Sequence, residues 1–203
     1  MAKFKLTYFD FSGSRGEECR LALYAAGADF EDNRLSREAW AELKPKTPFG
    51  GLPLLEVEGR PPLAQSNAIL AYIGREHGLH PSEPWAAARH EAILHAVEDL
   101  RAAMAPLSRV KDEEEKKRTR AEFVAGYLHT WASNLEQQIE GPFVAGDTLH
   151  VADIKLFVIC HSLSSGIYDH IPTTVLTPYP KLSALYAAVA AHPRVAQWRA
   201  RTA

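Results

Sequence analysis

Near the start of the chain Tyr8, Ser12, Ser14 and Arg15 place a phenol, two aliphatic hydroxyls and a guanidinium close together in the stretch "KLTYFDFSGSRGEECRLALYAAG", Lys5 to Gly27. Tyr8 by itself reads as an aromatic strand residue with a satisfied hydroxyl. Its neighbours give it a second use. Ser12, Gly13, Ser14 and Gly16 make a flexible, donor-rich turn directly before a helix, so the hydroxyl projects beside a positive dipole end and Arg15. Two further stretches offer main-chain and cap contacts. In "PFGGLPLLEV", Pro53 begins a strand, where a missing ladder donor costs least. A trans edge proline is the plain reading of Leu52–Pro53; a cis bond turns the Leu52 backbone outward to pair with an extended peptide. In "LAQSNAILAYI", Gln65 and Ser66 stand immediately before an apolar helical pattern. Ser66 is there an N-cap, and the same geometry holds a carboxylate on its hydroxyl and the next N–H groups along the helix. Tyr8, the edge at Leu52 and the cap at Ser66 together make a surface suited to a small anionic peptide.

The elements that position these residues are set by periodicity. "FKLTYF" (4–9) reads as a strand, 16–27 as a helix and "FEDNRL" (30–35) as a second strand, a βαβ opening. Such a unit presents its ligand site at the C-terminal ends of its strands, which puts Tyr8 at the rim. After an irregular stretch from Ser36 to Gly51 come "LPLLEV" (52–57), a turn at Glu58-Gly59-Arg60, a short run to Leu63 and a helix from Ser66 to about His77. That is an α/β unit with a mixed sheet. The breaker-rich "HGLHPSEP" (77–84) marks a boundary, and the remainder of the chain reads as helical. Ile93, Val97, Leu100, Met104 and Leu107 form one stripe of a long helix. Phe123, Tyr127, Trp131, Leu135 and Ile139 repeat the pattern on the next, entered through the charged corner "KDEEEKKR". A buried helix is expected from about Val151, with Leu149 and Ile154 as a staple and Asp153 in its first turn. One more helix closes the chain, ended by Pro193.

Composition narrows the function classes. The chain has 203 residues, 46% hydrophobic and 24% charged, with a formal net charge of -2, so it lacks the basic surplus of a nucleic-acid binder. The start "MAKFKLTYFD" has no long apolar run, and no later segment approaches a membrane span, so no membrane partner and a cytoplasmic location are expected. Cys19 and Cys160 lie far apart and form no Cys-x-x-Cys, which argues against a metal site or a dithiol centre; both read as small core hydrophobes.

Taken in order, "KLTYFDFSGSRGE", "PFGGLPLLEV", "QSNAILAYI" and "AVEDLR" closely resemble the cytosolic glutathione transferases, most of all the sigma and neighbouring tyrosine-type classes, over essentially the whole chain. The resemblance implies a thioredoxin-like α/β N-terminal domain (1–77), a linker (78–84) and an all-α domain (85–203) that contributes the electrophile pocket and dimer contacts of a homodimer. It implies a detoxifying transferase that conjugates the thiolate of glutathione, a co-substrate with no separate cofactor, to small hydrophobic electrophiles. Tyr8 is then the catalytic hydroxyl, a hydrogen-bond donor and not a base, since a phenol titrates near about 10. Arg15 supports the first turn. Trp40 and Lys44 sit over the glycyl end of glutathione, Leu52 ahead of Pro53 pairs with the cysteinyl backbone, and Gln65 and Ser66 hold the γ-glutamyl carboxylate. Asp99 reaches across the dimer to the ammonium of the neighbour's ligand. Without the resemblance, Trp40 is a ring packed under a loop and Asp99 a helical surface acid.

The electrophile would meet an apolar cleft lined by Phe9, Phe11, Met104, Leu107 and Cys160, with Arg101 beside Asp99 making it more polar than in many relatives. Three positions depart from the family pattern. Gly51 replaces a glutamine or lysine, removing a side-chain contact to the ligand. The turn after Tyr8 is one residue longer, and His150 stands where relatives carry serine or threonine, so the expected cap must be made otherwise. Two rivals remain at this level: activation by Ser12 or Ser14, and a glutathione-binding protein with little turnover. A thiol–disulfide oxidoreductase is disfavoured by serine and glycine where its cysteine would stand.

Overall fold

Alternation along β1 (Phe4–Phe9) buries Phe4, Leu6 and Tyr8, and Thr7 is buried too, the pattern of a central strand covered on both faces. The computed structural model describes residues 3–202. Helix α1 (Ser14–Ala25) carries the chain across to β2 (Phe30–Leu35), which pairs with β1 in parallel from Phe4↔Phe30 to Phe9↔Leu35. The segment from Ser36 to Gly51, expected to be irregular, contains α2 (Arg37–Leu43) and a 3-10 turn at Lys44–Lys46. The Ser36 hydroxyl caps α2 by accepting from Ala39 N at 3.2 Å, but the helix buries no residue fully and so leaves no apolar period to read. β3 (Leu54–Val57) starts just after Pro53, which has no N–H to give the ladder; the Leu52–Pro53 peptide is cis. β3 runs antiparallel to β1 and to β4 (Leu63–Ala64), so among the described residues the sheet order is β2-β1-β3-β4. α3 (Ser66–His77) packs with α1 and ends at Gly78, whose φ of 71° suits the left-handed cap.

The chain divides into two units, one of the residues up to Ala87 together with those from Ala191 onward, the other of Ala88–Ala190. In the second, α4 (Pro84–Met104) buries Ile93, Val97, Leu100 and Met104 along the expected stripe, and Leu107 lies beyond it in a 3-10 turn. Asp112 caps α5 (Glu113–Phe123). The expected single helix through Ile139 is interrupted: a π turn at Val124–Leu128 precedes α6 (His129–Glu136) and adds a residue to the period. Leu128, 1% exposed, therefore takes the inward place and Tyr127, 44% exposed, does not. α7 (Val151–Ser164) is buried on nearly every side. Asp153 accepts from His150 N at 2.8 Å and Val144 N at 2.7 Å, so a carboxylate in the first turn supplies a contact at this helix start. On the same helix the buried Lys155 donates at 2.6 Å to Glu98 Oε1, which also accepts from Arg101 at 2.8 Å.

α8 (Pro180–Ala191) ends before Pro193, which opens α9 (Pro193–Thr202) at the position where a helix tolerates proline best. Sequence reading assigned everything after residue 84 to the helical domain. By its packing α9 groups with the first unit: Trp198 is buried against Tyr24 and Phe30, with ring centroids 5.3 Å and 6.1 Å away. Among the described residues no helix is long and apolar enough to cross a membrane.

Candidate active site

At the C-terminal end of β1, Tyr8 is 6% exposed and its ring lies on the backbone of Gly16 in the first turn of α1. A Cβ on Gly16 would stand 2.0 Å from Tyr8 Cδ1, so any side chain there displaces the phenol. The rings of Phe9 and Phe11 lie 5.6 Å and 5.5 Å from that of Tyr8, and Trp40 meets Phe9 edge-on at 6.0 Å. These four aromatics, with Asp10, Leu35, Ser36 and Arg37, line a cavity of about 740 Å³ beyond the ends of the parallel pair, where a βαβ unit places its ligand. The turn between strand and helix passes through Gly13 at φ 120° and Ser14 at φ 55°, a left-handed value uncommon for serine. Ser12 is exposed, and Ser14 and Arg15 are half-buried at the start of α1.

The second anion-binding feature differs from expectation in one residue. Gln65, with φ 74°, occupies the N-cap position, and Ser66 is the first residue of α3, buried at 4% exposure. The Gln65 side chain makes no cap hydrogen bond to α3, whose N-terminus begins at the buried Ser66. Leu52 is half-buried ahead of the cis bond, Trp40 lies on α2, and Lys44 is exposed in the turn after it. Tyr8, Arg15, Trp40, Lys44, Leu52, Pro53, Gln65 and Ser66 thus all belong to the first unit.

The remaining candidates belong to the second. Asp99 is exposed on α4, Met104 is buried at the end of that helix, and Leu107 is half-buried in the turn beyond. Cys160 is fully buried in α7; burial pushes its thiol up to about 12, so it is no nucleophile at neutral pH.

One residue of the first unit escaped sequence reasoning. Arg20 is fully buried on α1, with Nε 2.8 Å from Asp32 Oδ1 and with Nη1 and Nη2 donating to the main-chain carbonyls of Phe11 (2.9 Å) and Phe9 (3.0 Å). Its guanidinium carbon lies 5.8 Å from the centroid of the Tyr8 ring. Asp32 also accepts from Arg34 Nε at 2.8 Å. The available signal was a lone arginine in the otherwise apolar run "CRLALYAA" of a helix that must lie on the sheet.

Comparison with known proteins agrees with this architecture. A family model described as "Glutathione S-transferase, N-terminal domain" matches residues 4–75, and one described as "Glutathione S-transferase, C-terminal domain" matches residues 98–202. The chain is 52% identical over 110 residues to "Glutathione S-transferase 1" of Ascaris suum; the match covers 54% of this chain and 52% of that protein, so the chain spans about half the length of this curated relative. It is 32% identical over 199 residues to "Hematopoietic prostaglandin D synthase" of Gallus gallus, covering 98% of this chain and 96% of that one. The crystal structure of the glutathione S-transferase from Ascaris lumbricoides superposes with a TM-score of 0.81 at 34% identity, covering 99% of this chain and 98% of that one. With an α/β N-terminal part built on a four-stranded sheet and a helical C-terminal part, the chain belongs to the glutathione S-transferase family.

Proposed function

We propose that the protein conjugates the thiolate of glutathione to small hydrophobic electrophiles, with the Tyr8 hydroxyl stabilising the thiolate. The observation that carries this reading is the buried phenol seated on Gly16 at the mouth of an aromatic cavity. A thiol of pKa about 8.5 is mostly protonated at neutral pH, and only its anion attacks well. Tyr8, neutral, donates O–H···S⁻, while the α1 N-terminus and Arg15 add positive potential. The thiol proton leaves to solvent; the sulfur then forms a bond to electrophilic carbon and the leaving group departs with its electron pair. Trp40 and Lys44 are assigned to the glycyl end, Leu52 to the cysteinyl backbone, and Gln65, Ser66 and the N-terminus of α3 to the γ-glutamyl carboxylate. Phe9 and Phe11 supply apolar wall for the electrophile. The near full-length similarity to a prostaglandin D synthase supports the sigma class, and a homodimer in which each Asp99 meets the other subunit's ligand belongs to the same reading.

The decisive variant is Tyr8→Phe. It should raise the pKa of bound glutathione and slow conjugation about ten- to a hundredfold, the effect of losing one hydrogen bond to a charged group, while leaving glutathione affinity nearly unchanged. Ser12→Ala and Ser14→Ala should change neither. Unaltered turnover in Tyr8→Phe removes the phenol from the mechanism, and loss of the thiolate in a serine variant transfers the role to that hydroxyl.

A further inference from the structure

Arg20 does not act alone in the first unit. Its Nη1 lies 3.5 Å from Glu17 Oε2, an ion-pair distance with no hydrogen bond between them, and the other oxygen of that buried carboxylate, Oε1, accepts from Trp198 Nε1 at 2.6 Å. A line of polar contacts therefore runs from α9, through Glu17 and Arg20 on α1, to the carbonyls of Phe9 and Phe11. Those carbonyls belong to the two residues whose rings pack on Tyr8, just ahead of the turn into α1. The charged groups facing Arg20 are Glu17 on its own helix and Asp32 on β2; Asp32 is shared with Arg34, which also reaches Asp10 at 3.3 Å. A buried carboxylate is stable only with donors, and a guanidinium grips two carbonyls at once only while its fork is held.

We propose that Glu17, Arg20 and Trp198 are positioning residues, and that the C-terminal helix sets the direction of the Tyr8 hydroxyl through the contacts Trp198–Glu17–Arg20. The proposal rests on the role assigned to Tyr8 above. Because Trp198 also packs on Tyr24 and Phe30, Trp198→Phe keeps an aromatic ring in place and removes the N–H donor.

The test uses the full chain as wild type, Trp198→Phe, Arg20→Lys and Tyr8→Phe. Three quantities are measured: amide hydrogen exchange of residues 9–13 without ligand, the pKa of bound glutathione from the ultraviolet absorption of its thiolate, and kcat and KM with a chlorodinitrobenzene. Trp198→Phe should speed exchange in 9–13, raise the thiol pKa and lower kcat about three- to tenfold, the range of one lost hydrogen bond, with KM for glutathione little changed. Arg20→Lys should act in the same direction and further. If Trp198→Phe lowers the melting temperature while loop exchange and thiol pKa stay at their wild-type values, α9 only stabilises the unit and the proposal is overturned. If Trp198→Phe does not fold, Glu17→Gln, which keeps an acceptor for the indole, should show the same three changes; wild-type exchange and thiol pKa in it overturn the proposal equally. If Tyr8→Phe leaves the thiol pKa unchanged, the catalytic reading fails by itself, and faster exchange in Trp198→Phe still upholds the contacts to the turn.

Discussion

Gly16 shows how a residue with no side chain shapes chemistry. The Tyr8 ring occupies the volume its Cβ would fill, with 2.0 Å between them, so Gly16→Ala must move either the phenol or the first turn of α1. We expect it to lower stability by about 1–3 kcal/mol, the cost of overpacking, and to depress conjugation more than Tyr8→Phe does, because the ring is displaced as well as the hydroxyl; thermal melting and turnover report the two effects. Cys160 stands at the other extreme, reactive in type and inert in place. Burial holds its thiol at about 12, so in folded protein at pH 8 iodoacetamide should leave Cys160 unmodified, and the mass increment at this residue should appear only after denaturant is added.

At the scale of elements, α7 depends on one carboxylate at its start. Asp153 receives N–H groups from His150 and from Val144 in the preceding loop, and both bonds are buried. Asp153→Ala leaves these donors without their acceptor and should lower stability by about 2–4 kcal/mol at pH 7, read from urea denaturation. The π turn between α5 and α6 is an element effect of a different kind. One extra residue in the period turns Tyr127 outward and Leu128 inward, so an apolar spacing of four is preserved in sequence and broken in space.

Across the whole molecule, two paired clusters hold buried charge, Glu17–Arg20–Asp32 in the first unit and Lys155–Glu98–Arg101 in the second. Asp153 stands apart from both and gives stability a pH dependence. Burial pushes its carboxyl up to about 6, against the pull of its N–H donors, whereas in the unfolded chain it titrates near about 3.9. The folded state holds the proton more tightly. The added stability that comes with that proton is therefore fully present below about pH 4 and is lost as pH rises through about 6, leaving only the part carried by the N–H contacts. The stability difference between wild type and Asp153→Ala should be largest near pH 4 and shrink to a plateau by about pH 7; a difference that grows over that range contradicts the shift.

Local pattern was enough for much of this. Short aromatic-bearing runs bounded by turn residues located β1 and β2, helical spacing and Ser66 located α3, and the ordered motifs carried the family and the candidate residues Tyr8, Gln65 and Ser66. Strand alternation, turn residues and caps act over a few positions, so they are written in the chain. α2 escaped because it buries no residue fully, and Gln65 took the cap position assigned to Ser66 because its left-handed backbone belongs to the whole turn. Tertiary structure alone decided that α9 returns to the first unit, that Glu17 meets Trp198 and that Arg20 holds the turn beside Tyr8. Those contacts join residues far apart in the chain, and which partner a buried charge finds depends on how the helices pack, a choice that no short window of residues contains.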